Sequence, residues 1–350
     1  MKIKISFLLP VLVLVACSEP GSRTVIMPDD PNIAYIGRFH ENSEGGQVFM
    51  YSGCAIRTVF SGTSVDLIMK DDSLRNMFTV IIDDSLFVLA ADRADSTYRL
   101  ADSLPDTRHK LEIIRRTEWH GGNTTFLGLK LDKRGKTYPH ELKERKIEFI
   151  GNSYTCGYGN EGKSREENFT YQTENNYLTF GAITARAVNA EYLAVCRSGI
   201  GIVQGYGGGR EFTMPRYYDE VLSDSTISWD YSKYQPQLVV IDLAGNDLSA
   251  PLDSAEFVNA YVTFLQRIRH NYAEASIICI AGPSSPGEGW TTWQNLIHAV
   301  VDQVGETDQA VHYFEFTPFE PNGSDWHPNV EEHQRMADEL VPFVKDLMKW

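Results

Sequence analysis

Two periodicities divide the chain. From about Ile33 to Lys130, apolar and polar residues alternate in short runs such as Ala55-Ile56-Arg57-Thr58-Val59-Phe60, Ser64 to Met69, Met77 to Ile82 and Lys110-Leu111-Glu112-Ile113-Ile114-Arg115. Turn residues separate them at Ser61-Gly62-Thr63, Asp83-Asp84-Ser85 and His120-Gly121-Gly122-Asn123. Successive side chains of a strand face opposite sides, so this pattern predicts an antiparallel β-sandwich over residues 33–135. Lys133 to Lys143 is polar and aperiodic and reads as a linker. Beyond it, near-continuous apolar runs predict strands at Lys146 to Gly151, Glu191 to Val195, Leu238 to Asp242, Ser276 to Ala281 and His312 to Glu315. Helical spacing falls between them, at Tyr177 to Asn189, Ser254 to Asn271, Thr292 to Val304 and Val330 to Lys349. Buried strands alternating with helices predict a parallel sheet covered on both faces, in a second domain over 136–350.

The first residues belong to neither pattern. Lys2 and Lys4 precede an apolar stretch, Ile5 to Ala16, which is short for a membrane span and reads as a signal peptide over 1–17. Leu14-Val15-Ala16-Cys17 resembles a bacterial lipobox, which implies cleavage before Cys17 and lipidation of its thiol. Residues 18–32, rich in Pro, Ser and Asp, read as a tether. The chain is thus expected to be exported and held at a bacterial membrane by a lipid alone. The net charge of −15 argues against nucleic acid, whose phosphates require a basic footprint. Cys54, Cys156, Cys196 and Cys279 show no metal-type spacing and are expected to be mostly free and buried.

Three motifs carry the chemistry. Ser153, in Gly151-Asn152-Ser153-Tyr154-Thr155-Cys156-Gly157-Tyr158-Gly159, stands just past the first strand of the sheet, where ligands bind in such folds. A serine there is either a turn residue or a nucleophile exposed at a strand end. Asn246, in Gly245-Asn246-Asp247, follows the third strand, and its amide can donate to a developing oxyanion without titrating. Ser198-Gly199-Ile200-Gly201 follows the second strand and offers a glycine amide, Gly199 in preference to Gly201. His327, in Ser324-Asp325-Trp326-His327-Pro328, precedes a proline that opens the last helix, which leaves the imidazole on a loop as a candidate general base. Asp325 is a candidate to orient its other ring nitrogen.

Together these elements resemble the SGNH (GDSL-like) hydrolase superfamily, whose Ser, Gly, Asn and His occur in this order. The sandwich, the Ser153 motif and Asp325-Trp326-His327-Pro328 look most like carbohydrate esterase family 2. The resemblance implies a jelly-roll-like domain ahead of an α/β/α hydrolase domain with a flavodoxin-like parallel sheet. It implies hydrolysis of O-acetyl esters on plant polysaccharides such as xylan and glucomannan, with no metal or other cofactor. Ser153 would be the nucleophile and His327 the base; the Ser153 and Gly199 amides and the Asn246 side chain would form the oxyanion hole. The chain departs from the superfamily in carrying Asn152 where Asp is usual, which is expected to tune the turn. It also carries Ser324 three residues before the His, where the acid usually stands. The family implies that this acid is dispensable, a backbone carbonyl serving instead, so Asp325 and a carbonyl both stand as partners of His327. Tyr154, Trp326 and Trp290 are candidate substrate contacts, although Trp290 and Trp293 are equally placed to pack at a helix start. Two other classes compete: a lipase or thioesterase, which would need an apolar channel, and a surface glycan-binding lipoprotein without catalysis.

Overall fold

The computed structural model describes residues 23–93, 95–222 and 227–350. The expected signal peptide, the expected lipobox with Cys17 and the start of the expected tether lie outside the described residues.

The amino-terminal half is a sandwich of two antiparallel sheets. One has the order His40–Glu41, Gln47–Phe49, Thr124–Leu131, Val65–Asp71, Asp95–Ala101. The other has the order Thr137–Tyr138, Ala55–Gly62, Thr107–Arg115, Met77–Ile82, Ser85–Ala90. Most successive strands cross from one sheet to the other, the connectivity of a jelly-roll-like sandwich. The alternating runs place Phe60, Phe78, Phe126 and Leu129 inside, all wholly buried. Two boundaries move. Thr24–Ile26 is no tether: it is a strand paired with Leu129–Leu131. The pairing depends on Gly128, in left-handed backbone at φ 127°, where a Cβ would lie 2.2 Å from the Ile26 carbonyl oxygen. Thr137–Tyr138 pairs with the strand Ala55–Gly62, so the sandwich runs past residue 135.

The second half is built on five parallel strands: β1 (Arg145–Gly151), β2 (Ala190–Cys196), β3 (Leu238–Asp242), β4 (Ser276–Ala281) and β5 (Val311–Glu315). Their order is β2-β1-β3-β4-β5. Helices α1 (Ser153–Cys156), α2 (Phe180–Ala187), α3 (Ser254–Asn271), α4 (Glu288–Gly305) and α5 (Val330–Met348) connect or follow them. Both faces of the sheet are apolar. Phe149, Val240 and Ile280 pack with Phe180 of α2 and Met336 and Leu340 of α5. Val239, Ile241 and Ile277 pack with Phe257 and Phe264 of α3 and Ile297 of α4. Asp253 caps α3 by accepting the N–H groups of Ala255 and Glu256. Asn329 and Glu332 cap α5 reciprocally, which fixes the helix start three residues after His327. Among the described residues, no helix is long and apolar enough to cross a membrane.

Two arginines of the sandwich, Arg38 and Arg57, join the halves. Arg38 of the sandwich lies 3.5 Å from Glu148 of β1, both wholly buried, and also donates to the Glu220 carbonyl at 2.9 Å. Arg57 reaches Glu191 of β2 at 2.5 Å. Arg115, at the end of its strand, has no exposed surface and organises the loop that follows. It donates to the carbonyls of Phe49 (3.2 Å), Thr117 (2.8 Å), Glu118 (3.1 Å) and Gly122 (2.7 Å) and to the Asn76 side chain (2.8 Å). Burial pulls its pKa down to about 10, so it stays charged near neutrality. Replacing Arg115 by Met would strand these acceptors. We expect a loss of about 3–5 kcal/mol in unfolding free energy, as for a broken buried charge network. Denaturant titration checks it, and a loss under about 1 kcal/mol, the range of a surface pair, would contradict the role given to this side chain.

Candidate active site

The turn that carries Ser153 forms at the carboxyl end of β1. Gly151 stands in register with Cys196 of β2 and Asp242 of β3. A Cβ on Gly151 would lie 2.0 Å from Thr155 Oγ1, so only glycine lets the chain fold back at once into α1. Asn152 is extended and caps that helix, its side chain accepting the Tyr154 N–H at 3.0 Å. An amide oxygen performs the capping as a carboxylate would, which accounts for Asn at this position. Ser153 follows as the first residue of the helix.

The loop after β2 is shaped by acceptors from the loop after β3. The Asp247 carboxylate takes the N–H groups of Ile202, Val203 and Gln204 at 2.8–3.1 Å. Burial pushes this carboxyl up to about 6 in spite of those three donors. The Asn246 amide donates to the Ile200 carbonyl at 2.8 Å, which uses one N–H and fixes the direction of the other. Gly199 and Gly201 differ sharply. A Cβ on Gly201 would lie 2.0 Å from the Gln204 carbonyl oxygen, so this glycine closes the loop. Gly199 sits in left-handed backbone at φ 80°, where a Cβ would meet only Phe212 and Tyr206, at an ordinary contact distance of 3.9 Å.

His327 is oriented by main chain. Its Nδ1 lies 2.8 Å from the Asp325 carbonyl oxygen and 3.2 Å from that of Ser324. Carbonyl oxygens only accept, so Nδ1 carries the proton and Nε2 keeps the lone pair a base requires. The Asp325 carboxylate does not take part. It accepts the Tyr158 hydroxyl at 3.1 Å and the Phe169 N–H at 2.9 Å. The expectation that this side chain orients His327 is therefore corrected to its own main-chain carbonyl. The reason is conformational: Asp325 is left-handed, at φ 49° and ψ 42°, and directs its carboxylate to the 158–169 segment. Tyr158 covers the imidazole at 4.4 Å between ring centroids. Burial lowers the His327 pKa, only partly opposed by the two carbonyls and the charges of Asp325 and Glu118, so the ring is neutral at neutral pH.

Ser153, Asn246 and His327 open onto one cavity of about 540 Å³, with Tyr154, Trp293 and Trp326 in its wall. Trp326 is 56 % exposed, and the Arg165 guanidinium lies 4.6 Å over its ring. Tyr154 meets His327 edge to face at 5.6 Å. Trp290, expected as a substrate contact, does not line this cavity. It is buried and packs against Gly282, where a Cβ would lie 2.2 Å from its ring. Trp290 shares the inward face of α4 with Trp293, Ile297 and Val300, spaced three or four residues apart, and of the two tryptophans it is Trp293 that reaches the cavity wall.

The linear motifs do not reveal Glu118. This sandwich residue is wholly buried against the loop after β2 and accepts the Ser198 N–H at 2.6 Å. With His120 and Glu174 it forms a group whose donor atoms lie within 4.8 Å of one another. The sequence signal is slight, a polar Arg-Thr-Glu-Trp-His run at a strand end. Cys54, Cys156, Cys196 and Cys279 are all free and buried.

Known proteins resemble both halves of this chain. Residues 35–140 match the family described as carbohydrate esterase 2 N-terminal, and residues 149–335 match the GDSL-like lipase/acylhydrolase family. The cellulase/esterase CelE of Acetivibrio thermocellus is 36 % identical over 92 % of this chain, which spans 40 % of that protein's length. An acetylxylan esterase / glucomannan deacetylase of Cellvibrio japonicus is 29 % identical over 94 % of this chain and 93 % of its own. Among solved structures, a family two carbohydrate esterase from Clostridium thermocellum in complex with cellohexaose is 37 % identical, with TM-score 0.86 over 91 % of this chain and 99 % of that one. A family two carbohydrate esterase from Cellvibrio japonicus is 28 % identical, with TM-score 0.88 over 94 % and 99 %. Matched in both halves and aligned with these relatives over most of its length, the chain belongs to carbohydrate esterase family 2, with a GDSL-like hydrolase domain.

Proposed function

We propose that this chain is a serine esterase that removes O-acetyl groups from plant-type polysaccharides or oligosaccharides such as xylan and glucomannan. One observation carries the reading: a serine at a strand end, an amide side chain and a neutral imidazole with its Nδ1 tied to main chain share one cavity. In this mechanism His327 Nε2 takes the Ser153 proton as Oγ attacks the acetyl carbonyl. The tetrahedral oxyanion is held by the Ser153 and Gly199 N–H groups and the Asn246 amide, and such a donor is typically worth about 3 kcal/mol in the transition state. The sugar hydroxyl leaves with the proton from His327. Water, activated by the same base, then releases acetate from acetyl-Ser153.

The polar and aromatic cavity wall supports a sugar and a small acyl group over a lipid chain. Exposed Trp326 offers a flat face for a sugar ring, and the relatives' names point to the same substrates. The proposal includes export and lipidation at Cys17, supported by Leu14-Val15-Ala16-Cys17 and the apolar stretch before it. Metabolic labelling with a palmitate analogue should mark the wild type and miss Cys17→Ala; labelling retained in the variant would remove the anchor from the proposal.

Acetate release from 4-nitrophenyl acetate and acetylated xylan tests the reaction. Ser153→Ala should lower kcat roughly a millionfold, as loss of a serine nucleophile does. A folded wild type without activity, or activity unchanged by the substitution, would favour the glycan-binding reading. Asp325→Asn separates the two ways of orienting His327. Asn accepts left-handed backbone and leaves the carbonyl in place. It should cost less than about tenfold in kcat, against about 10⁴-fold where a carboxylate sets the histidine tautomer.

A further inference from the structure

Glu118 extends from the sandwich into the hydrolase half, just past the strand Thr107–Arg115. One carboxylate oxygen accepts the Ser198 N–H at 2.6 Å and lies 3.4 Å from Cys156 Sγ. The other accepts the Ser198 hydroxyl and lies 3.5 Å from His120 Nδ1. Ser198 immediately precedes Gly199, and Cys156 closes the one-turn helix that Ser153 opens. A single buried carboxylate therefore touches both the proposed oxyanion segment and the nucleophile helix.

Its surroundings favour the ionised form. Arg115 donates to the Glu118 carbonyl at 3.1 Å, and the Glu118 N–H donates to Glu174 Oε1 at 3.2 Å. Burial alone would raise the Glu118 pKa, but His120 and the two Ser198 donors outweigh it and hold the carboxyl below its usual range. Glu174 is pushed well above that range by burial and by the neighbouring Glu118 charge, so it stays a neutral acid. The Ser198 N–H, the Ser198 hydroxyl and the His120 ring all face the Glu118 carboxylate, so of the pair Glu118 is the one whose surroundings suit a charge.

We propose that Glu118 is a positioning residue for hydrolysis: its carboxylate holds the Ser198–Gly199 segment against the nucleophile turn, so the sandwich sets the oxyanion geometry of the other domain. This rests on the serine-esterase reading. Oxyanion donors act in the transition state and contribute little to ground-state binding, so a misplaced Gly199 lowers kcat and spares KM.

The test uses the full chain with Glu118→Gln, Glu118→Asp, Ser198→Ala and the Gln/Ala double variant, on 4-nitrophenyl acetate. Rates are expressed per Ser153 titrated with an organophosphorus ester, so only folded sites are counted. The expected result is a ten- to hundredfold fall in kcat for both Glu118 variants with KM within twofold. The double variant should be no slower than Glu118→Gln, because the carboxylate acts through Ser198. Wild-type kcat in Glu118→Asp or Glu118→Gln, a loss confined to KM, or multiplying effects in the double variant would each overturn the proposal. Glu118→Asp, which keeps the buried charge, decides the matter if Glu118→Gln fails to fold. A wild type without Ser153-dependent hydrolysis would remove the esterase reading and this inference together, whereas an active wild type with unaffected Glu118 variants would remove the inference alone.

Discussion

Asp325 and Trp326 are both left-handed, at φ 49° and 61°, and this pair decides where the imidazole of His327 can sit. Left-handed backbone costs about 1–2 kcal/mol per L-residue, so the segment must be held from outside. Gly323 N–H bonds the His327 carbonyl at 2.6 Å, Ser324 N–H that of Gly159 at 2.9 Å, and Asp325 N–H that of Glu167 at 2.9 Å. The Asp325 carboxylate adds the Tyr158 and Phe169 contacts. The consequence is that two carbonyls turn towards Nδ1 and fix the tautomer. The acid nearest the histidine serves the backbone that presents those carbonyls.

This arrangement links the first and third motifs directly. Gly159 belongs to the serine motif, yet its carbonyl supports the histidine loop, and a Cβ there would lie 2.7 Å from Ser324 Cβ. Tyr158 lies face to face with Phe169 at 4.0 Å, covers His327 and bonds Asp325. A change in one motif is therefore felt by the other through packed atoms.

The two domains are coupled by charge as well as by apolar contact. Arg38–Glu148 and Arg57–Glu191 each place a sandwich guanidinium on a strand of the sheet that carries the site. Burying such pairs is costly unless further hydrogen bonds complete them. Arg38 has the Glu220 carbonyl and the rings of Tyr51, Tyr218 and Trp229 around it. The sandwich is thus built into the framework that holds β1 and β2, whose carboxyl ends carry Ser153 and the Ser198–Gly201 loop.

Local regularities were legible in the sequence. Period-two runs marked the sandwich strands, apolar runs located all five parallel strands, and Pro328 announced the start of α5. The serine, amide and histidine motifs sat at the ends where such a sheet binds ligands. These signals survive in one dimension because strand and helix periods are properties of consecutive residues. Partnership across the fold was hidden. That the Asp325 carboxylate faces Tyr158 and its carbonyl faces the histidine follows from φ and ψ at one residue. That Trp293 lines the cavity and Trp290 does not, although both are buried, follows from their packing against Gly245 and Gly282 respectively. The pairing of Thr24–Ile26 with a strand about a hundred residues away, and the meeting of Glu118 with Ser198, each need the closed tertiary structure. Sequence alone determined the elements and the chemical types at their ends; only the tertiary structure decided which atoms meet, because those contacts join residues brought together by the folding of both domains.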